Sequence, residues 1–199
     1  REAHRALKGS VLRQEIYALD GSDKENIPYT VTATAYKLLK IQSLPEHVNK
    51  GENGLPPFAV FMNLQEQNVV FSCERKVEDV RIAQELVLET DVYGNILKSA
   101  HVVYPRKNIA VDVPQKVQEA QGKMHITVQE NHFTNDAIDD TDYQYYRLRT
   151  AYAEKAWQLH PENSPAKVLY NIKELLQEVN DAIEIDFTTK PEAGEKRLL

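Results

Sequence analysis

Residues 85–104 read ELVLETDVYGNILKSAHVVY and contain the clearest structural signal in the chain. Apolar and polar residues alternate on both sides of the central DVYGN, which is the period of a strand with one buried face. Gly94 and Asn95 tolerate a positive φ, so this pentapeptide can close a hairpin. Pro105 follows and cannot donate to a ladder, which should end the second strand. The sequence therefore predicts an antiparallel hairpin of residues 85–90 and 96–104.

Further strands are predicted on both sides of this hairpin. Residues 29–36 alternate apolar residues with β-branched threonines, and the slip of the apolar phase after Tyr36 indicates a bulge or the end of pairing. Residues 143–157 stay ambiguous, because their aromatics favour a strand and their Ala, Glu and Lys residues favour a helix. The other predicted strands are residues 10–18, residues 58–64 and 69–73 joined as a hairpin by residues 65–68, residues 125–133, and residues 182–187.

Two helices are predicted in the second half of the chain. Residues 114–121 begin with a proline and stop at Gly122, whereas a longer helix near 164–180 begins with Ser164 and Pro165. The longer helix has one apolar stripe, formed by Val168, Leu169, Ile172, Leu175, Leu176 and Val179. Most strands are too close in sequence for parallel crossovers. The predicted fold is therefore mainly β, with antiparallel hairpins in a curved sheet or a sandwich, one longer helix near 164–180 and a short one near 114–121.

The two ends of the chain differ in composition from its middle. Residues 1–9 and the polar, aperiodic residues 188–199 are predicted to be tails or linkers, which flank one β module of residues 10–187. Residues 45–57, with two glycines and two adjacent prolines, are predicted to form a loop. The sequence shows neither an initiator methionine nor the pattern of a signal peptide, so we expect a fragment of a longer chain.

The composition excludes several classes of protein. The chain has 199 residues and a net charge of −6, which argues against a module that binds nucleic acid or an anionic membrane. No run approaches the ~18 apolar residues that span a bilayer. Cys73 is the only cysteine, so the sequence supports neither an internal disulfide framework nor a cysteine-rich zinc site. Its apolar neighbours predict a buried, inert thiol.

The sequence contains no strong signal for a catalytic or metal site. Neither a Gly-rich phosphate loop nor a Gly-x-Ser-x-Gly elbow occurs. His125, Glu130 and His132 come nearest to a ligand cluster, but a spacing of seven on a strand puts the two histidines on opposite faces. A solvated acidic loop is favoured over a calcium site, because the run lacks the glycine and the bidentate glutamate of such sites. The loop contains Asp136, Asp139, Asp140 and Asp142. We therefore expect no metal and no cofactor.

Two pairs of carboxylates and a group of aromatic residues remain as candidates for function. Glu85 and Glu89 share a predicted strand face but lie ~13 Å apart along it, too far to share a proton, and Glu130 and Asp136 form the other pair. We therefore expect no catalytic residue. The aromatics of residues 143–157 suit a packed sheet face or, as an alternative, a free-standing β-sandwich domain that recognises carbohydrate or protein. The binding residues of that alternative are Tyr145, Tyr152 and Trp157.

Several strings in the first three quarters of the chain resemble a known family. They occur in the order found in the middle region of the B component of bacterial insecticidal Tc toxins, and the resemblance covers roughly residues 7 to 150. The strings are VLRQEIYALDG at 11–21, PYTVT at 28–32, ELVLETDVYGNILKSA at 85–100 and TVQENHFTN at 127–135.

The resemblance implies a structural role. In that family the region lies between a β-propeller and the tyrosine/aspartate-rich Rhs repeats, which build a hollow shell of β-strands. The shell encloses a toxic C-terminal segment until a pore-forming A component accepts it. The resemblance therefore implies a wall piece with no catalytic residue, in a secreted toxin. Its partners would be the propeller and repeats of the same chain, the C component and the A component.

A segment cut from such a wall would have open strand edges. Unpaired edges add further strands unless charge or proline protects them, so we expect the fragment to dimerise edge to edge. We expect it to bind no nucleic acid and to make no membrane contact of its own.

Overall fold

The computed structural model describes residues 2–43, 59–138, 146–161 and 168–199. These residues form mainly strands and a few short helices, which confirms the predicted fold class. The helices are α1 (Glu2–Ala6), α2 (Gln115–Gln121) and α3 (Ile172–Asp181). The strands are β1 (Arg13–Ile16), β2 (Thr30–Gln42), β3 (Val60–Ser72), β4 (Arg81–Thr90), β5 (Ile96–Val103), β6 (His125–Phe133), β7 (Ala137–Ile138), β8 (Tyr146–Arg147), β9 (Ala151–His160), β10 (Ile183–Ile185) and β11 (Glu195–Leu198).

Nine of the described strands form one sheet in the order β1-β2-β3-β4-β5-β6-β9-β11-β10, and β7 pairs with β8 apart from it. Neighbouring strands in the large sheet are antiparallel, except that β10 runs parallel to β11. The predicted hairpin is confirmed as β4 and β5, with Leu86 opposite Ala100. Within the described residues the architecture is therefore one extended sheet, and not a sandwich of two.

Burial alternates along the central strands, so the sheet has one covered and one open face. On β6, for example, Ile126 and Val128 are fully buried, whereas His125 and Thr127 are exposed. Helix α3 packs against the covered face with its buried residues Leu175 and Val179. The strand residues of this core are Leu86, Leu88, Ala100, Val102, Ile126, Val128, Trp157 and Leu159. Tyr104 and Tyr170, which lie outside these strands, complete the core.

The predicted hairpin of residues 58–64 and 69–73 was wrong, because the chain continues through residues 65–68 as one strand. Residues 65–68, predicted to turn between two strands, lie inside β3. These residues contain no glycine, and they keep pairing with β2 while the register shifts between Ala35 and Tyr36. The phase slip after Tyr36 is therefore a bulge, and it is not the end of pairing.

The longer helix begins later than predicted. Residues 164–167 lie outside the described part of the chain, but Val168 and Leu169 form a bend and Val168 is 80% exposed. Asn171 caps α3 instead, since its side chain accepts a hydrogen bond from the Lys173 backbone N–H at 2.9 Å. An asparagine cap satisfies one of the unpaired first-turn N–H groups as well as serine would. The short helix near 114–121 and the strands within residues 125–133 and 182–187 are found as α2, β6 and β10.

Both predicted tails contain regular structure. Residues 2–6 form α1, and residues 195–198 form β11 inside the sheet. The polar composition of the last segment misled the prediction, because Lys196 is buried there. Its Nζ lies 3.5 Å from Glu130 Oε1, 3.1 Å from Glu184 Oε1 and 5.1 Å from the centre of the Trp157 ring. The ambiguous segment contains strand β9, and the loop predicted at 45–57 lies outside the described residues.

One buried side chain joins the sheet to the segment that leads into α3. Gln84 on β4 is fully buried, and its Nε2 donates to the Tyr170 carbonyl at 2.9 Å. Its Oε1 accepts from the Tyr170 backbone N–H at 3.1 Å and from the Tyr104 hydroxyl. The Gln84 amide thus pairs with both backbone groups of one residue, as a neighbouring strand would.

The hydrogen bonds of Gln84 lead to the prediction that a single substitution has a large effect on stability. We expect Gln84→Leu to lower the free energy of unfolding by about 3 kcal/mol, because it removes the buried hydrogen bonds of the Gln84 amide to the Tyr170 backbone and to the Tyr104 hydroxyl. Urea denaturation of the two proteins measures the difference. As a matched control, Gln129→Leu on the open face should change stability by no more than about 0.5 kcal/mol. Equal effects of the two substitutions would contradict a stabilising role of the Gln84 hydrogen bonds.

Candidate functional site

The turn of the β4–β5 hairpin is held by a cluster of four side chains, the hairpin cluster (Asp91, Tyr93, Asp136 and Arg149). Asp91 Oδ1 accepts from the backbone N–H groups of Tyr93 and Asn95, both at 2.9 Å. Arg149 Nη1 lies 3.2 Å from Asp91 Oδ2, and its guanidinium stands 5.3 Å from the centre of the Tyr93 ring. The Tyr93 hydroxyl donates to Asp136 at 2.6 Å. Burial alone would raise the pKa of Asp91, but the hydrogen bonds from Asn95 and Tyr93 and the charge of Arg149 lower it overall.

A second cluster of the same kind holds the loop after β1. This loop cluster consists of Asp20, Ser22, Tyr29 and Arg75. Arg75 Nη1 lies 2.7 Å from Asp20 Oδ2, and its guanidinium stands 5.6 Å from the centre of the Tyr29 ring. Hydrogen bonds from Arg75 and Ser22 lower the pKa of Asp20 to about 2. Arg75 has a φ of 58°, so the turn between β3 and β4 adopts a costly backbone conformation at this contact.

Both clusters contain residues of the strings that resemble the Tc toxin B component. Asp20 belongs to the first string and Tyr29 to the second, whereas Asp91 and Tyr93 belong to the third. In each cluster a turn aspartate meets an arginine from a distant segment, and the guanidinium stacks on a nearby tyrosine. Arg75 and Arg149 could not be identified from the sequence, because no local pattern connects them to turns 55 and 58 residues away.

The open face of the sheet presents a continuous row of polar side chains across seven strands. Cross-strand pairing places its members side by side, and Glu85, His101 and Thr127 at its centre are exposed. We call it the polar row, and it consists of Thr34, Asn68, Glu85, His101, Thr127, Gln158 and Arg197. Hydrogen bonds join Thr34 to Asn68 at 3.3 Å and Arg197 to Gln158 at 2.6 Å. The row thus contains one carboxylate and one guanidinium, together with hydroxyl, amide and imidazole side chains.

The aromatic residues predicted for carbohydrate or protein binding do not form one exposed surface. Tyr145 lies outside the described residues. Tyr152 is 66% exposed, whereas Trp157 is 4% exposed and belongs to the core. The Trp157 indole donates to Glu130 Oε2 at 3.1 Å, and the ammonium of Lys196 lies over its ring. The Trp157 ring is therefore already occupied by protein groups.

The candidate carboxylates are separated by the fold. A register shift between Val87 and Glu89 moves Glu89 to the covered side, where it pairs with Lys98, while Glu85 stays in the polar row. The prediction that the two share one face was therefore wrong, because a bulge reverses the alternation of side chains. Glu130 is buried beside Lys196, and Asp136 belongs to the hairpin cluster. Glu89, Glu130 and Asp136 are therefore each paired with another side chain of the fold.

The structure also gives the positions of the candidate metal ligands that it describes and of the single cysteine. No three His, Cys, Asp or Glu side chains of the described residues converge on a position that could hold a metal ion. Asp136 of the acidic loop is described, whereas Asp139, Asp140 and Asp142 are not. Cys73 is buried as expected, and burial raises the pKa of its thiol. Among the described helices, none has the length and apolar character needed to cross a membrane.

Comparisons with known proteins identify relatives of this chain. The profile of the family described as "Insecticide toxin TcdB middle/C-terminal region" matches residues 2–148. The crystal structure of TcdB2-TccC3 is similar with a TM-score of 0.62 and 24% identity, over 90% of this chain and 8% of that chain. The crystal structure of TcdB2-TccC3-TEV is similar with a TM-score of 0.62 and 25% identity, over 86% of this chain and 8% of that chain. The Photorhabdus luminescens Tc holotoxin pore with mutated TccC3 is similar with a TM-score of 0.58 and 23% identity, over 79% of this chain and 7% of that chain.

The matched structures are far longer than this sequence. The chain spans no more than 8% of the length of the solved chains named here. A search among curated proteins finds no match. The comparisons with structures therefore concern the fold of one segment within a much larger assembly.

The hairpin turn leads to a prediction about its glycine. Gly94 has a φ of 84°, and a Cβ added to it would lie 2.5 Å from Met62 Sδ on β3. We expect Gly94→Ala to lower the free energy of unfolding by about 2 kcal/mol, from backbone strain and displacement of Met62. Gly21→Ala is the control, because its φ is 67° with no atom near the added Cβ. It should cost about 1 kcal/mol in the same urea titration, and an equal cost at both sites would contradict the Met62 contact.

The loop cluster leads to a prediction about pH. A carboxylate with a lowered folded-state pKa stabilises the protein above its unfolded pKa of about 3.9, and this contribution is lost as the pH falls to the folded pKa. For Asp20 that folded pKa is about 2. We expect the gap in urea midpoint between the wild type and Arg75→Gln to be constant above pH ~4 and to shrink toward pH ~2. Asp20→Asn should remove the same dependence, and a constant gap throughout would contradict the assignment.

Proposed function

This chain belongs to the insecticide toxin TcdB middle/C-terminal region family, and we propose that it is a non-catalytic wall segment of a Tc toxin B component. In this proposal its strands form part of an Rhs-type shell that encloses a toxic C-terminal polypeptide before translocation. The observation that carries the proposal is the architecture itself. In the described part of the chain, each edge strand of the nine-stranded sheet is paired on one side only, and its other side can pair with a further strand.

The first open edge is β1, whose four residues are all exposed. The Leu12 carbonyl accepts from the Thr34 N–H at 2.9 Å, and Gln14 and Ile16 lie opposite Thr32 and Thr30. Because hydrogen bonding alternates along an antiparallel pair, Leu12, Gln14 and Ile16 direct their backbone groups toward β2. Arg13 and Glu15 therefore direct their N–H and C=O groups outward, where another strand can bind them.

The second open edge is β10, which pairs with β11 only in the described sheet. Ile183 beside this edge and Phe187 just beyond it are each 65% exposed. Large exposed apolar side chains at a strand edge are typical of a contact surface. The same two edges support the proposal that an isolated copy of the segment self-associates edge to edge.

The partners follow from the family and remain part of the proposal. The relatives are described as TcdB2 with TccC3 and as a Tc holotoxin pore. We propose that this segment contacts the propeller and Rhs repeats of its own chain. Through the full-length protein it associates with a C component and a pore-forming A component, and the toxin acts outside the bacterium that makes it.

A non-catalytic role agrees with the positions of the titratable groups. Glu85 and Glu89 lie on opposite sides of the sheet, and Glu130 and Asp136 are held by other side chains. The alternative of a carbohydrate- or protein-binding sandwich domain is not favoured, since Trp157 is buried and Tyr152 stands apart from it.

The proposal is tested by hydrogen exchange in the full-length protein. If a neighbouring strand continues the sheet, the outward amides of Arg13 and Glu15 should exchange at least about a hundredfold more slowly than unstructured amides. Mass spectrometry with residue-level fragmentation measures these rates. The amide of Gln14, which faces β2, is the internal control and should be slow in any case. Slow exchange of the Gln14 amide together with fast exchange of the Arg13 and Glu15 amides would mean that the sheet ends at β1, and this result would contradict the proposal.

A further inference from the structure

His160 is the last residue of β9, and it lies where the two final strands join the sheet. It is opposite Glu195 of β11, and its carbonyl accepts the Gly194 N–H at 2.8 Å. The Gly194 carbonyl in turn accepts the Ile183 N–H of β10 at 3.1 Å. Two successive backbone hydrogen bonds therefore connect the start of β10 to β9 through His160.

The imidazole of His160 is half-buried, and its Nε2 has no hydrogen-bond partner within the described residues. His125 of β6 is its neighbour across the strands, because the two histidines extend the Ile126–Leu159 pair by one residue. The Nε2 of His125 donates to the Ala120 carbonyl at 2.9 Å. A proton taken up by His160 would therefore place a positive charge beside a second histidine.

Strand β11 brings charges of both signs to the same place. Glu195 is opposite His160, and Arg197 lies two residues further on the same face of β11. The Arg197 guanidinium donates to Gln158 at 2.6 Å, so the β9–β11 pairing holds it close to His160. One oxygen of Glu195 already accepts the Glu192 N–H at 2.8 Å. The charges of Glu195 and Arg197 thus act on His160 in opposite directions.

The segment around α2 adds further positive charge. A cavity of about 430 Å³ lies between α2 and the ends of β6 and β9, and both His125 and His160 line it. Glu119 is the one carboxylate among the described residues that line this cavity, whereas its lysines are Lys116, Lys123 and Lys190. Protonation of His160 would therefore add to a group of charges that is already basic.

Helix α3 contributes two carboxylates on the other side of His160. Glu178 and Asp181 line a cavity of about 230 Å³ that His160 also borders. Glu178 accepts the Tyr170 hydroxyl at 3.0 Å, and Asp181 accepts the Gln177 amide at 2.8 Å. Both carboxylates therefore already have hydrogen-bond donors of their own.

The balance of these contacts disfavours the charged form of His160. Burial of the ring and then the charge of Arg197 lower the pKa of His160; Glu195 opposes this effect, and His125 adds to it. A histidine whose pKa is lower in the folded than in the unfolded state stabilises the fold above the unfolded pKa of about 6.5. That contribution is lost as the pH falls through the folded pKa.

We propose that His160 makes the C-terminal edge of the sheet sensitive to acid: when its imidazole takes up a proton, the hydrogen bonds that join β11 and β10 to β9 open more often, while β2 to β6 stay paired. Positive charges on three neighbouring strands, at His125, His160 and Arg197, then repel one another. The inference goes beyond the proposed function, because it assigns a response to pH and does not require that the segment enclose a polypeptide.

Hydrogen exchange in the full-length protein, measured at pH ~7.5 and ~5.5, tests the inference. Rates are divided by those of unstructured amides at the same pH, which removes the intrinsic pH dependence of exchange. We expect the amides of Ile183 and Gly194 to exchange at least about threefold faster at the lower pH on this scale. The amides of β4 and β5 are the internal reference and should change less. An unchanged rate at Ile183 and Gly194 would overturn the inference, and so would an equal acceleration in β4 and β5.

Three variants identify the group that takes up the proton. His160→Gln keeps a polar side chain that cannot be protonated, so the acceleration at Ile183 and Gly194 should disappear. Arg197→Gln removes a repelling charge and should reduce it. His101→Gln changes an exposed histidine on the same face and is the matched control, which should keep the acceleration of the wild type.

Two outcomes with the variants would overturn the assignment to His160. The first is an acceleration that persists in His160→Gln, and the second is one that disappears in His101→Gln. If His160→Gln does not fold, an undiminished acceleration in Arg197→Gln would overturn the inference by itself. The proposed wall segment is tested separately by the amides of Arg13 and Glu15 at the opposite edge, so the two proposals can fail independently.

Discussion

The buried amide of Gln84 is the interaction on which the layered arrangement depends. It binds both backbone groups of Tyr170 and also receives the Tyr104 hydroxyl, in a region where water cannot replace any of these partners. Tyr170 immediately precedes the cap of α3, so the amide determines where the helix can begin. Leu175 and Val179 then reach the core of the sheet. One side of the sheet is covered as a consequence, and the other stays open.

The parts of the fold that could be predicted from sequence are those set by local chemistry. The β4–β5 hairpin follows from alternation and from a glycine and an asparagine at its turn, and α2 follows from a proline and a helix-forming run. The misplaced parts depend on distant residues. Residues 65–68 stay in a strand because β2 pairs with them, and β11 forms because Glu130, Glu184 and Trp157 accommodate Lys196. Neither partner set is visible in the segment itself.

The polar row was harder to anticipate than the fold. Polar residues such as Thr127 and Gln158 belong to no recognisable sequence motif. Only the register of the strands places them in one row. Tyr29 and Tyr93, which were not candidates, have structural roles, since each ring stacks against an arginine that holds a turn. The strings shared with the toxin family thus include residues that fix the connections between strands.

The position of β11 also constrains the order of events during synthesis. Residues 195–198 lie between β9 and β10, so β10 has no neighbour in the sheet until they have left the ribosome. Lys196 is made long after Glu130, its buried partner, so the Glu130 carboxylate stays hydrated until Lys196 can pair with it. The strands from β1 to β6 can meanwhile pair in sequence, each with the one before it. Co-translational folding would therefore proceed from the N-terminal edge, and β10 would join the sheet only after β11 has been made.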